Sequence, residues 1–232
     1  MTYEKMTLST LPQLQERLNK LGLSLPLSEQ VSLLGQPLTV GGFALPNRLA
    51  IQPMEGCDGA PDSSPGELTI RRYHRFAESG AGLIWFEATA VVPEGRANAR
   101  QLMLTRENLG GYKQLLEDMR ESSIKAYGFA PMILIELTHS GRYSKPRGVP
   151  EPMAARHNAI YDKDNPLDDQ RIVTDAYLET LPAQYAAAAK LAQEAGFDGA
   201  DIKACHGYLI NELLGAHTRE GKYGGSYENR TR

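Results

Sequence analysis

Apolar and polar positions alternate with different periods along this chain, and the changes of period mark out its elements. Leu11, Leu14, Leu18 and Leu21 recur at helical spacing with Gln, Glu, Arg and Lys between them, which predicts one amphipathic helix ending near Gly22. A shorter apolar stretch follows at Val31–Leu34. Leu38–Leu45 reads as a small hairpin with Gly41-Gly42 as its turn. From Asn47 onward one unit recurs: a short apolar run, a loop, then a helical pattern. The runs are Leu49–Met54, Gly82–Ala88, Pro131–Leu137 and Asp198–Ala204. The helices predicted between them are Pro65–Ser79, closed by Gly80, Leu109–Ser122, and Thr180–Ala195, stopped by Gly196. In the last of these Thr180 is the expected cap, Pro182 suits a first turn, and Ala186–Ala189 is a strong helix former.

Strands alternating with helices in this rhythm predict an α/β fold with a parallel sheet, either an open doubly wound layer or a closed barrel. A barrel of eight units takes roughly 250 residues. Four units after a leader therefore make half a barrel or a smaller open sheet. Residues 1–42 are assigned to the leader helix and hairpin, and residues 43–232 to the main unit. The connection Thr138–Glu179 is long and carries Pro146, Pro150, Pro152 and Pro166; connections of this length are functional or disordered.

Composition narrows the function classes. The 232 residues are 41% hydrophobic and 23% charged with net charge -3, an ordinary globular balance that speaks against a disordered chain and a broad nucleic-acid surface. No apolar stretch approaches the ~18 residues of a membrane span, and the N-terminus has no apolar core of secretory type. Two cysteines, Cys57 and Cys205, make no disulfide framework, so a cytoplasmic protein is expected.

Candidate chemistry gathers at strand ends. The fourth run delivers Asp201, Lys203, Cys205, His206 and Tyr208 within eight positions, and alternation places Asp201, Lys203 and Cys205 on one face. A cation, an imidazole and a phenol together can hold a carbonyl oxygen or anion and deliver a proton. The plainer reading pairs Lys203 with Asp201 and leaves Tyr208 as packing. The third run ends in Glu136-Leu-Thr-His-Ser-Gly-Arg142, where His139 is a base, a ligand or a capped loop histidine and Arg142 is an anion-binding candidate. Cys57 lies between Glu55 and Asp58, and acids raise a thiol pKa, which argues against a nucleophilic thiolate. The cysteine and histidine spacing matches no zinc pattern, so no metal is expected. Gly221, Gly224 and Gly225 beside Arg219 and Lys222 either cradle a phosphate or support a tight loop.

Six blocks, in order, carry a resemblance. They are Asn47-Arg-Leu-Ala-Ile-Gln-Pro-Met54, Glu87-Ala-Thr-Ala-Val91 with Gly95-Arg96, His139-Ser-Gly-Arg142, Ala195-Gly-Phe-Asp-Gly199, His206-Gly-Tyr-Leu209 and Tyr223-Gly-Gly-Ser-Tyr-Glu-Asn-Arg230. From Leu38 to its end the chain resembles the N-terminal half of the Old Yellow Enzyme-type, FMN-dependent NADH:flavin oxidoreductases. The resemblance implies about the first four βα units of a TIM (β/α)8 barrel that binds FMN at the carboxyl ends of its strands, with NAD(P)H as electron donor and reduction of activated C=C bonds. It implies that Gln52, Pro53, Met54 and Glu55 run along the flavin, that Ala88 contacts the ring, and that Glu136 meets the pyrimidine edge. Lys203 and His206 would hold the substrate oxygen, and Tyr208 would donate a proton to the substrate carbon.

Three positions depart from the family. Glu136 stands for a glutamine and loses an amide donor. Lys203 stands for a histidine, a stronger point charge that would favour acidic substrates. Glu55 stands where Thr or Cys is usual, and a carboxylate there would disfavour anionic reduced flavin. The family's strand-five arginine and its phosphate-binding loops lie in a part with no counterpart among these residues. The expected partners are therefore a small acidic or carbonyl-containing substrate and further copies of the chain, without nucleic acid or membrane. A non-catalytic truncated fragment and a Schiff-base lyase using Lys203 are the alternative functions.

Overall fold

The computed structural model describes residue 5 and residues 7–232; the rest of the stretch assigned to the leader, positions 1–4 and 6, lies outside the described residues. The first predicted helix is present as α1, Leu11–Lys20. Thr10 starts it with a capping box, its side chain accepting from the Gln13 amide while the Gln13 side chain accepts from the Thr10 amide. Of its leucines only Leu18 is buried. The hairpin forms from β1 (Leu38–Val40) and β2 (Phe43–Leu45), with Gly41 and Gly42 both at positive φ as its turn requires.

The four repeated units make one parallel sheet in the order β3 (Ala50–Ile51), β4 (Leu83–Ala90), β5 (Met132–Thr138), β6 (Gly199–Ile202). Helices α2 (Glu67–Ala77), α3 (Leu109–Tyr127) and α4 (Asp175–Ala195) connect them. Sequential parallel pairing with a helix after each strand is the rhythm read from the sequence. Ile84, Phe86, Ile133, Ile135 and Leu137 are fully buried in the core shared with these helices. Phe86 stacks on Tyr73 of α2 at 4.0 Å and meets Phe197 edge-on at 5.2 Å. Burying each side chain of this size contributes about 1.5–3 kcal/mol. Asn47 closes the lower end of the sheet, its amide donating to Gly80 O (2.7 Å) while its oxygen accepts from the Leu49 and Gly82 amides (3.0 and 2.9 Å).

The opposite face of the sheet is less covered. Leu83, Trp85, Met132 and Leu134 are only half-buried, and the hairpin leans over them around an apolar cavity of about 510 Å³.

Several boundaries differ from the sequence expectation: α3 runs to Tyr127 rather than Ser122, α2 is two residues shorter at each end, and three further differences have identifiable causes. The first strand is only Ala50–Ile51 rather than Leu49–Met54, since Pro53 has no amide to donate and the chain leaves the sheet before it. Helix α4 begins at Asp175, capped by the Thr174 hydroxyl, which accepts from the Tyr177 amide at 3.1 Å; Thr180 and Pro182 lie inside it. Leu178 and Leu181 are buried on the same face as Tyr185, Ala188 and Ala192, and their burial outweighs the interior proline. The fourth strand stops at Ile202, so the alternation reading fails past Lys203: Cys205 sits exposed in a turn whose next residues, His206 and Gly207, take positive φ.

The connection after β5 is folded rather than loose. Arg142 anchors it from the 3-10 turn Gly141–Tyr143, donating to Glu212 Oε1 (2.6 Å) and to Arg156 O (2.7 Å), and it ion-pairs with Asp162. Each of its three nitrogens is engaged in this way, so the anion-binding candidate of the sequence is a structural clamp. Arg219 donates to Ala155 O (2.6 Å) and Asp175 (2.7 Å) through its two terminal nitrogens while its buried Nε has no partner, and Lys222 pairs with Glu179. The glycine-rich segment therefore ties onto α4, the loop-supporting alternative.

Candidate active site

The carboxyl ends of β3 to β6 bring titratable groups from four separate stretches of chain together. Glu136, near the end of β5, lies opposite Asp201 of β6 in register, and its side chain reaches diagonally to Lys203. The contact is an ion pair of 2.6 Å between Lys203 Nζ and Glu136 Oε1, with both side chains buried. Lys203 is thus paired across strands with Glu136, not along its own strand with Asp201. Two neighbouring strands of a pleated sheet can supply such a diagonal partner; a local reading of one strand cannot.

Tyr208 stands over this pair. Lys203 Nζ is 5.4 Å from its ring centroid, within cation–π range. The His206 ring meets it edge-on at 6.3 Å, and Tyr143 flanks it at 6.0 Å. Burial, followed by the charge of Glu55, pushes the Tyr208 phenol up to about 12, so it holds its proton at neutral pH. Lys203, His206 and Tyr208 therefore form one cluster. His206 is exposed, Lys203 lies beneath, and Tyr208 is half-buried between them.

Beside the cluster the segment after β3 carries Gln52 and Met54, both exposed (Met54 at 66%), and half-buried Pro53 and Glu55. Ala88 has no accessible surface, and its carbonyl accepts from the Gln101 amide at 3.1 Å. Glu55 Oε1 accepts from Asn98 Nδ2 at 2.8 Å and from the Cys57 thiol at 3.7 Å. Burial, then the charge of Glu87, raises the Glu55 pKa. Cys57 is raised in turn by burial and by Glu55, in line with the sequence reading of an unreactive thiol.

Sequence reasoning left one constellation out. Glu87, 1% exposed, accepts from the Gly56 amide (2.9 Å) and pairs with Arg72 (2.5 Å), which also binds Asp58 (2.6 Å). Arg72 packs so closely over Gly56 that an added Cβ would lie 2.3 Å from the guanidinium, so a side chain there would have to displace it from its two carboxylates. The available signal was a lone acid inside the apolar run Trp85-Phe-Glu87, since such an acid needs a buried cation.

His139 is the capped loop histidine, not a free base. The Gly141 amide donates to its Nδ1 (3.0 Å), so Nε2 carries the proton and donates to the Tyr177 hydroxyl (2.9 Å), which donates to Glu94 (2.9 Å). Burial lowers the His139 pKa to about 4, below its ordinary 6.5. The unfolded chain therefore binds a proton that the folded chain rejects between these values. The histidine's contribution is complete above pH 6.5 and falls as the pH drops toward 4, by about 3 kcal/mol in all. Urea unfolding of wild type and His139→Gln at pH 7 and pH 4.5 should show the two converging at the lower pH; a constant gap would remove His139 from the acid sensitivity.

Among the described residues no group of His, Cys, Asp or Glu could hold a metal ion, and no helix is long and apolar enough to cross a membrane.

Residues 33–232 match the NADH:flavin oxidoreductase / NADH oxidase family. This chain belongs to that family. The NADH:flavin oxidoreductase family is enzymatic and uses FMN with NAD(P)H as electron donor. An NADPH dehydrogenase of Geobacillus thermodenitrificans is 34% identical over 207 residues, covering 86% of this chain and 56% of the relative. The Bacillus subtilis NADPH dehydrogenase is 33% identical over 202 residues, covering 84% and 56%. Morphinone reductase in complex with tetrahydroNAD superposes with a TM-score of 0.71 at 29% identity over 86% of this chain and 57% of that one. Old Yellow Enzyme from a Pichia species gives 0.71 at 25% over 86% and 53%. The fold is thus the TIM-barrel family with its first four βα units and the N-terminal helix and hairpin, as expected. The chain spans a little over half the length of the relatives it matches.

The donor set fits the ring of the family's flavin. A pyrimidine edge needs an acceptor for N3–H and donors for two carbonyl oxygens. Glu136 is an acceptor, the Lys203 ammonium has donors left beside it, and the exposed Gln52 amide offers both. The lysine thereby supplies the donor that Glu136 lacks.

Proposed function

We propose that residues 43–232 form the flavin-gripping part of an FMN-dependent oxidoreductase that reduces activated C=C bonds with NAD(P)H, with residues 1–42 leading into it. The gathering of Lys203, His206 and Tyr208 around one point at the strand ends carries this reading. Bound there, FMN supplies the hydride chemistry. Gln52, Glu136 and Lys203 would hold the ring edge, with Pro53, Met54 and Glu55 along it, whereas Ala88, which has no accessible surface, lies out of the ring's reach. His206, together with a remaining Lys203 N–H, stabilises negative charge on the substrate oxygen, and Tyr208 supplies the proton. Because Glu136 neutralises Lys203, the site favours an uncharged, carbonyl-polarised substrate over an acidic one. The exposed free thiols Cys57 and Cys205 support a reducing, cytoplasmic setting.

The same ion pair weakens the lyase alternative, since an ammonium held by a carboxylate has no lone pair with which to attack a carbonyl. A non-catalytic chain is the second reading, favoured by the half-buried inner face at Leu83, Trp85, Met132 and Leu134. One experiment separates the two: titration of the purified 232-residue chain with FMN, followed by flavin fluorescence and absorbance, with size-exclusion chromatography to give the number of copies. Saturation near one flavin per chain supports the flavoenzyme. A colourless protein with unaltered flavin fluorescence would sink it.

A further inference from the structure

Four consecutive residues after β3 are gripped from outside. Asn98 Nδ2 donates to Glu55 Oε1 (2.8 Å) and to Cys57 Sγ (3.2 Å). The Gly56 amide donates to Glu87 Oε2 of β4 (2.9 Å). Asp58 accepts from the Thr69 hydroxyl (2.6 Å) and from both terminal nitrogens of Arg72 (2.6 and 3.1 Å). Arg72 also pairs with Glu87, so one guanidinium ties the acid of β4 to the acid of the segment. Its buried Nε is left without a partner, so its place is set by the two acids and not by its own full satisfaction. Thr69, Arg72 and Tyr73 share one face of α2, and the Tyr73 hydroxyl accepts from the Glu87 amide (2.7 Å). Between the two gripped positions, Cys57 has φ +52°. A residue with a Cβ is strained in this left-handed region and stays there only where its surroundings over-determine it. Among the described residues Ser63 and His206 are the other non-glycines in this region, and His206 belongs to the strand-end cluster.

We propose that the Arg72–Glu87–Asp58 network holds Cys57 in its left-handed turn and thereby sets the course of Gln52–Glu55 along the flavin. The proposal rests on the flavin reading above and deepens it. Arg72 and Glu87 are positioning residues: Glu87 is buried and acts through the Gly56 amide, and Arg72 acts through Asp58. Relaxation of Cys57 to negative φ turns the chain before it relative to Asp58, which carries Glu55 off Asn98 and Pro53 and Met54 off the ring. A network that only stabilised the fold has no use for a strained residue at its centre, since the strain works against stability. The strain is explained when the turn itself is what the network serves.

Two measurements test this. In the first, the backbone carbon shifts and the amide-to-Hα coupling of Cys57 are read by NMR, without flavin, in wild type, Glu87→Ala and Gly56→Ala. Glu87→Ala removes the acceptor of the Gly56 amide. Gly56 is not among the glycines at positive φ, so its backbone admits alanine, and the new Cβ acts by pushing the guanidinium off its acids with no change of charge. Both variants should replace the left-handed signature of Cys57 with that of an ordinary turn or extended residue, while the signals of Ile133 and Ile135 in the sheet persist. Gly56→Ala decides the matter if Glu87→Ala does not fold. A left-handed Cys57 in a folded variant overturns the proposal whether or not flavin binds. In the second, FMN affinity of the same proteins is measured by flavin fluorescence where urea unfolding shows each to be folded. Affinity should fall at least tenfold in Gly56→Ala and in Glu87→Ala. A lower unfolding midpoint with unaltered affinity would mean that the network serves stability alone, and overturns the proposal. Absence of FMN binding by wild type defeats the flavin reading instead, while the NMR measurement still decides whether the network holds the turn.

Discussion

Replacing Lys203 with Met is expected to destabilise the folded chain by about 3–5 kcal/mol, because it strands the buried Glu136 carboxylate without its cation. The size follows from burial. Both side chains are shielded from water, 6% and 7% exposed, so solvent cannot take over the lost partner. Breaking an exposed pair such as Lys20–Glu16 should cost far less, because water takes over the lost partner. The companion experiment is the pair Lys203→Met with Glu136→Leu. Removing both charges removes the desolvation cost along with the attraction, so the double variant should regain most of the loss or even exceed wild type. Urea unfolding of the four proteins gives the coupling directly. Additive losses, or a single variant within 1 kcal/mol of wild type, would mean that the two groups are not a buried pair. The charge also explains why the two residue types occur together here: a glutamate alone would bury an anion, and a lysine alone would bury a cation.

The second large effect concerns chemistry. In the FMN-loaded protein, Tyr208→Phe should slow reduction of an activated alkene by about 10²–10⁴-fold, the usual worth of a positioned proton donor. Reduction of the flavin by NAD(P)H should stay within a few-fold, since that step takes no proton from Tyr208. The phenol's raised pKa of about 12 keeps it protonated across the working range, so the wild-type alkene step should not fall off at mildly alkaline pH through this group. The substitution keeps the ring beneath which Lys203 lies, so folding is little disturbed. Stopped-flow separation of the two half-reactions is the measurement. Equal slowing of both would remove Tyr208 from the proton-donor role and leave it as packing.

How much of this was legible before the structure depends on the range of the interaction concerned. Helix α1 was readable because its leucines recur at helical spacing within one short stretch, and the hairpin because two glycines permit its turn. The four parallel strands were readable as apolar runs. The start of α4 was misplaced because Thr180 and Pro182 mimic a helix beginning, while the burial of Leu178 and Leu181 against distant strands decided otherwise. Arg142 looked like an anion site because a sequence shows a cation but not Glu212, 70 residues away. Within the cluster, Lys203, His206 and Tyr208 were close in sequence and were found together; Glu87 with Arg72 was passed over, since its partner lies on a helix.

Periodicity, caps and turns are local, so the chain by itself determined its order of elements, its parallel α/β class and the family its motifs belong to. The charge state of the site was decided only in three dimensions. Lys203 and Glu136 are 67 residues apart, and they neutralise one another only because adjacent strands set their side chains diagonally on one face. Among the described residues Glu55 has no ion-pair partner, since the two cations at the strand ends, Arg72 and Lys203, are held by other acids. Coulomb energy in a dry interior depends on distance through space, and distance through space is what a linear sequence does not contain.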